Sequence, residues 1–296
     1  MSLARQNHSD GTFNKTVNVV PPHAWFGVSA VFHYLGPSLA VLLFPVVGVL
    51  GMAWFRIASA ALIFAPITRP WNTIRHADGQ TRLLLIGLGA TLAVMNTSFY
   101  LALDSLPMSL VAAMEFIGTI GIALWGLRTA RNLVALMLAV IGVFILIDVK
   151  WVTDFGGLLW ASLNALLFIV YIVLGHRAAE GGAGSGIERL GAAMAIAFFL
   201  LMPIGFVEAA KAFGSVTLIG AGIGVGLCSS VIPYVCDQLA MARLPRASFA
   251  LLLALLPATA TIIAALVLSQ IPTPQDLFGV TLVMIGVAVH KQPQRT

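Results

Sequence analysis

Residues 100–107 read Tyr100-Leu101-Ala102-Leu103-Asp104-Ser105-Leu106-Pro107, and residues 238–245 read Gln238-Leu239-Ala240-Met241-Ala242-Arg243-Leu244-Pro245. Each stretch closes an apolar run, and in each the Leu-Pro pair opens the next, at a constant offset of 138 residues. Ile141-Gly142-Val143 is echoed in the same way by Ile285-Gly286-Val287, after a small insertion. Such self-similarity inside apolar sequence implies two related halves. The number of membrane crossings in each half then decides whether the halves run parallel or inverted.

The rest of the chain supplies that number. Of 296 residues, 59% are hydrophobic and 9% charged, with a mean hydropathy of +0.99. A soluble domain carries about 25% charged residues, so the composition excludes most water-soluble folds, a disordered chain and a disulfide scaffold. A crossing helix needs about 20 apolar residues. That ruler predicts ten spans near residues 24–45, 47–66, 83–103, 107–127, 132–148, 156–175, 190–207, 216–241, 246–269 and 275–290. The first apolar run is too long for a secretory signal core and lacks a convincing cleavage site, so it reads as a span. Gly181-Gly182-Ala183-Gly184-Ser185-Gly186 reads as a flexible loop between the sixth and seventh spans. Cys228 and Cys236 are too far apart on one helix to bridge and read as small buried hydrophobes.

Five crossings per half leave the second half starting on the opposite face, so the halves must be inverted. Charge placement agrees. Thirteen basic residues fall on one side: Arg5, Lys15, Arg69, Arg75, Arg82, Arg128, Arg131, Arg177, Arg189, Arg243, Arg246, Lys291 and Arg295. Only Lys150 and Lys211 fall on the other. The positive-inside rule puts the rich side, with both termini, in the cytoplasm of a multi-pass protein of the cell (inner or plasma) membrane. The excess of base thus orients the chain and does not mark a nucleic-acid surface. The expected organisation is a cytoplasmic tail at 1–23, five-helix halves at 24–149 and 150–290, and a second tail at 291–296. Inverted repeats typify secondary transporters, whose substrate site lies near the midplane between halves.

Three ionisable residues fall inside spans: Arg56, Glu115 and Asp237. Each costs roughly 2.5–3.5 kcal/mol at a helix centre, so each needs a partner or water. Counted from the outer ends of their spans, Arg56 and Glu115 lie at matching depth, about eight or nine residues in. Asn96 falls at a comparable level, with Tyr100 one turn further out. This set either lines a polar cavity or forms a static Arg56–Glu115 pair, and the two roles can coexist. Asp237 lies near the cytoplasmic end of its span, where it either snorkels, pairs with Arg243 or borders the cavity. Pro233 before it frees a backbone carbonyl, which suits a gate or an unwound wall. His33, beside Tyr34 and Gly36-Pro37, interrupts the first span as a proton carrier or a hydrogen-bonded core histidine. Asn164, Tyr171 and Tyr234 are further lining residues, or interhelical bonds. Gly220, Gly222, Gly224 and Gly226 create small-xxx-small packing pairs.

No GxxxxGK phosphate loop, HExxH metal motif or GxSxG elbow occurs in the chain. Nucleotide-driven transport and metal or serine chemistry therefore lack a motif, and no cofactor, metal or enzyme activity is expected.

Gly36-Pro37-Ser38-Leu39-Ala40, Leu43-Phe44-Pro45, Gly48 and Arg56 resemble the opening of the threonine/homoserine exporter branch of the drug/metabolite transporter superfamily. Met95-Asn96, Phe99-Tyr100-Leu101, Leu106-Pro107, Glu115-Phe116 and Gly118 continue the likeness, and Pro233-Tyr234 and Leu244-Pro245 carry it into the second half. The resemblance covers nearly all of residues 24–290. It implies an all-α integral membrane fold of ten helices in two inverted EamA-type repeats. It also implies export of small metabolites, especially neutral amino acids, with Arg56, Asn96, Tyr100 and Glu115 in the polar cavity and Asp237 as an acidic member. Three positions depart from the pattern: Val41 stands where a lysine is usual, Leu256 where an acidic residue precedes Pro257, and Thr119 where a proline is expected.

The reading that follows is a proton-coupled exporter of small zwitterionic amino acids. Arg56 and Asn96 hold the carboxylate, and Glu115 alternates between Arg56 and an ammonium or proton. Its expected partners are the small-molecule substrate, protons and membrane lipid; the sequence leaves the oligomeric state open. The alternatives are a drug or other metabolite exporter of the same fold and, further off, a channel or intramembrane enzyme.

Overall fold

The computed structural model describes residues 19–112, 114–116, 129–146, 154–180, 182–253 and 255–289, and among them there is no strand. The helices are α1 (Pro22–Val47), α2 (Val49–Thr68), α3 (Pro70–His76), α4 (Gly79–Ser105), α5 (Ala130–Leu146), α6 (Phe155–Ala179), α7 (Ala183–Ala209), α8 (Val216–Gly226), α9 (Ile232–Met241), α10 (Arg246–Leu252), α11 (Leu255–Leu268) and α12 (Pro274–Val289). Residues 108–112 and 114–116 are also helical.

Helix ends follow local chemistry. Asp78 caps α4 by accepting the Thr81 N–H at 3.0 Å, and Asp154 caps α6 by accepting the Gly157 N–H at 3.0 Å. Those bonds hold both exposed carboxyls below their usual range. Between α1 and α2 the chain turns on one residue, Gly48, at φ +94°, a conformation that a side chain would strain. Glu208 of α7 then accepts the Gly51 N–H at 3.1 Å, completing the first turn of α2 from across the bundle.

Seven helical stretches among the described residues are long and apolar enough to cross a membrane: Pro22–Val47, Val49–Thr68, Gly79–Ser105, Phe155–Ala179, Gly184–Gly214, Val216–Met241 and Ser248–Leu268. The expected fifth and tenth spans are the shorter α5 and α12, of 17 and 16 residues, which pack on one another. Most of the expected fourth span, with Thr119, lies outside the described residues. The seventh is longer than hydropathy indicates, because a helix continues past its first charges into water. It absorbs most of the glycine-rich segment expected as a loop. Gly182 turns the chain at φ +98°, and Gly184-Ser185-Gly186 already belong to α7. The eighth is composite, with a π-helical turn, Leu227–Val231, between α8 and α9.

The bundle is inside-out relative to a soluble protein. Leu62, Leu83, Phe199, Val207 and Leu266 are each at least 68% exposed, while Arg56, Asn96, Glu115, Asn164 and Asp237 are at most 3% exposed. An apolar exterior around buried polar groups is stable in lipid and unstable in water. α1 packs on α9 and α11, α2 on α7, and α4 on both α6 and α7. Gly222 and Gly226 abut Phe55 and Ser59 of α2, whereas Gly220 and Gly224 face open space, so one of the two expected small-residue pairs makes the contact. Cys228 is half-buried, Cys236 is buried, and both are free thiols.

The two Leu-Pro stretches share their local backbone bonding. Leu106 N–H donates to Ala102 and Leu244 N–H to Ala240, both at 2.8 Å. Five residues further on, Val111 N–H donates to Pro107 and Phe249 N–H to Pro245. All four pairs keep the offset of 138 residues read from the sequence. Basic residues from separate loops gather at one end of the bundle. There Arg246 reaches Glu180 at 3.5 Å, and Arg189 donates to the carbonyls of Arg177 and Ala178.

Candidate functional site

Arg56 lies on α2 with 2% of its surface exposed, and its position is prepared by Pro233. Proline has no N–H to offer the carbonyl four residues before it, here that of Ser229 in the π-helical turn. Arg56 Nη2 donates to that carbonyl at 3.0 Å, Nε donates to Ser230 Oγ at 3.1 Å, and Nη2 also approaches the Tyr234 hydroxyl at 3.5 Å. The guanidinium carbon sits 5.5 Å and 5.2 Å from the ring centres of Phe99 and Tyr100, within cation–π range. Gly36 of α1 lets the turn come this close, since a Cβ there would stand 2.5 Å from the Ser229 nitrogen. Arg56 Nη1 is buried and has no hydrogen-bond partner among the described residues.

Glu115 takes different partners. Tyr34 of α1 donates to Oε2 at 2.9 Å and Asn164 of α6 to Oε1 at 2.8 Å. The ion pair envisaged as a static bond between Arg56 and Glu115 is absent, because the guanidinium is turned toward the carbonyl and hydroxyls of the π-helical turn. Asn164 Oδ1 is likewise buried with no partner. His33 packs against Tyr34 at 5.4 Å and Phe168 at 5.9 Å between centroids.

Asp237 is 3% exposed, and hydroxyls hold both of its oxygens: Ser29 of α1 at Oδ1, 2.5 Å, and Tyr171 of α6 at Oδ2, 3.0 Å. It neither snorkels nor pairs with Arg243, which donates instead to the carbonyls of Leu239 and Val20. Among the described residues no cation lies within ion-pair distance of Asp237. Tyr171 packs on Phe168 at 5.9 Å and on Tyr234 at 5.4 Å. An aromatic column thus runs from Tyr34 through His33, Phe168 and Tyr171 to Tyr234, linking the surroundings of both carboxylates.

Asn96 donates to the Leu92 carbonyl at 2.6 Å and accepts the Tyr234 hydroxyl at 2.9 Å. These two residues are themselves 138 apart, the offset between the two Leu-Pro stretches. Tyr100 shares a hydrogen bond of 3.3 Å with Ser229 Oγ. All seven residues singled out from the sequence (His33, Arg56, Asn96, Tyr100, Glu115, Tyr234 and Asp237) are at most 5% exposed, so this conformation is closed around them.

Sequence reading did not select Ser29, Ser229 and Ser230. Serines are common within apolar helices, and the one usable signal was the Ser-Ser pair just before Pro233. Among the described residues, no three His, Cys, Asp or Glu side chains converge on a metal-sized centre. Chemically, the centre offers a buried cation with unfilled N–H groups, a carboxylate held by neutral donors, and an amide oxygen without a donor. That set suits a small zwitterion.

Comparison with known proteins is consistent with this chemistry. Residues 155–290 match the model of the EamA-like transporter family. The threonine/homoserine exporter RhtA of Escherichia coli (strain K12) is 34% identical over 248 residues, 82% of each chain. That of Salmonella typhimurium (strain LT2) is 31% identical over 268 residues, 88% of this chain and 89% of its own. A protein of known crystal structure has the same fold at 17% identity, with a TM-score of 0.64 over 90% of this chain and 96% of its own.

Proposed function

The chain belongs to the EamA-like transporter family, and on that premise we propose that it exports neutral amino acids of the threonine/homoserine type by proton antiport with alternating access. One observation carries this reading: among the described residues a buried guanidinium keeps Nη1 without an acceptor, while the buried Glu115 carboxylate has no cation within ion-pair distance. A substrate carboxylate fills Nη1 of Arg56 in a charge-assisted bond, and the substrate ammonium takes the vacant lone pairs of Glu115. Asn96 and Tyr100 act by fixing Tyr234 and Ser229, which aim the guanidinium. Asp237 has neither a cation nor a substrate-facing partner, and a buried lone carboxylate is best relieved by a proton. It serves as the coupling group, with His33 and the tyrosine column lying between it and Glu115.

The architecture we propose is ten spans in two inverted five-helix repeats, 24–149 and 150–290, flanked by short tails. The 138-residue offset in backbone bonds and the Asn96–Tyr234 contact support it, since equivalent residues touch only near a two-fold axis. The clustering of Arg177, Arg189 and Arg246 supports a cytoplasmic assignment of that end, hence cytoplasmic termini in an inner or plasma membrane. Proteoliposomes loaded with labelled threonine or homoserine test the reading. An inward proton gradient is expected to accelerate efflux. Flux of amphiphilic drugs without amino-acid flux, or steady currents without counterflow, would replace it.

A further inference from the structure

Asn164 is fully buried on α6, and its hydrogen bonding is half complete. Nδ2 donates to Glu115 Oε1 at 2.8 Å, while Oδ1 has no partner. The orientation of the amide follows from chemistry: an ionised carboxylate only accepts, so the NH2 group must face Glu115 and the oxygen must face away. A carbonyl oxygen buried without a donor is costly, and native structures keep such groups where a ligand or water completes them.

A backbone zwitterion has a carboxylate for Arg56 Nη1 and an ammonium for Glu115. Asn164 Oδ1 is then left for a further donor, which a small neutral amino acid can bring in a side-chain hydroxyl or in a remaining ammonium N–H, and comparing substrates with and without the hydroxyl tells the two apart. We propose that Asn164 is a specificity-determining residue of the site, accepting a hydrogen bond at Oδ1 from the substrate's side-chain hydroxyl. This inference rests on the amino-acid exporter reading and names the feature of the substrate that the site selects. Glu115 orients the amide by accepting from Nδ2, and Tyr34 occupies the other carboxylate oxygen, so the selective acceptor is held by neighbours that bind the invariant part of the substrate.

The test compares threonine with valine, which differ by a hydroxyl against a methyl of nearly equal size. Counterflow in proteoliposomes measures kcat/KM for each in the wild type, Asn164→Leu and Asn164→Ser, with size-exclusion profiles reporting folding. An unmet buried acceptor corresponds to a loss of roughly 5- to 150-fold. The wild type is therefore expected to favour threonine by about tenfold or more, Asn164→Leu to bring the ratio close to one, and Asn164→Ser to keep part of the preference. Equal wild-type transport of both substrates would overturn the inference. So would a parallel fall for both substrates in Asn164→Leu at an unchanged ratio, the signature of a structural role through Glu115. Should Asn164→Leu fail to fold, the wild-type ratio and Asn164→Ser decide on the same criteria. Each of those results leaves amino-acid export standing, whereas a wild type that moves neither substrate removes export and this inference together.

Discussion

Glu115 and Asp237 are two buried carboxylates in one bundle, each held by a tyrosine hydroxyl and one small polar side chain drawn from α1 and α6. For Glu115 the tyrosine comes from α1 and the amide from α6; for Asp237 the serine comes from α1 and the tyrosine from α6. Their surroundings differ. Among the described residues, the Asn164 amide that donates to Glu115 keeps its oxygen without a donor, and Arg56 in the same bundle keeps unfilled N–H groups. Beside Asp237 the donors are spent on the carboxylate itself, and among the described residues no cation is within ion-pair distance. Burial alone does not assign a role to an intramembrane acid. The proposed roles rest on the unfilled valences around each acid: a zwitterion for those near Glu115, a proton for those near Asp237.

Substitutions can break this contrast. The largest effect is expected for Arg56→Met, which removes the cation from the Glu115 side and is expected to lower threonine efflux at least about a hundredfold, as loss of a buried charge-assisted contact would. Wild-type flux in that variant would move the carboxylate site elsewhere. Next, Glu115→Gln and Asp237→Asn should separate two assays. The first variant should lose both counterflow and gradient-driven efflux by about tenfold or more. The second should retain counterflow while efflux stops responding to the proton gradient. Identical behaviour of the pair would erase the distinction between them.

Smaller effects sharpen it. Tyr171→Phe removes one hydroxyl from Asp237 and, if that acid is ionised, should cost about 1.5–3 kcal/mol of stability in detergent. An unchanged midpoint would mean that Asp237 carries its proton in the resting state. The smallest effect lies outside the membrane, at Asp78→Ala, which loses the α4 cap and should lower the melting temperature by only a few degrees with transport intact. Bonds from the Thr81 hydroxyl and N–H hold the Asp78 carboxyl below its usual range. Its contribution is therefore complete above the ordinary carboxylate range and lost as pH falls through the lowered value. A thermal titration of wild type against Asp78→Ala should show the two curves converging at the acid end.

Much of this was legible in the chain. Arg56, Glu115 and Asp237 stood out because charge is rare in apolar runs, and Pro233 announced a freed carbonyl that Arg56 takes up. What could not be read was who meets whom. Matched depth leaves Arg56 and Glu115 as a static pair or as cavity walls, and position leaves Asp237 to snorkel, pair with Arg243 or border the cavity, whereas both acids take hydroxyl and amide partners. The glycine-rich segment likewise reads as a loop because glycine weakens helices, but four of its residues sit in the first turns of α7, where Gly186 packs against Ala179 and Gln238.

The sequence by itself determined the membrane class, the 138-residue offset between two similar stretches and the short roster of buried polar residues. Those follow from hydropathy and identity counted along the chain, which need no knowledge of neighbours. Tertiary structure alone decided the pairing. Each residue along a helix turns the side chain by about 100°, so the rotation of α1, α2, α6 and the π-helical turn about their axes selects which donor reaches which acceptor. That rotation is set by packing contacts such as Gly36 against Ser229. It leaves Arg56 Nη1 and Asn164 Oδ1 unfilled at the centre of the bundle.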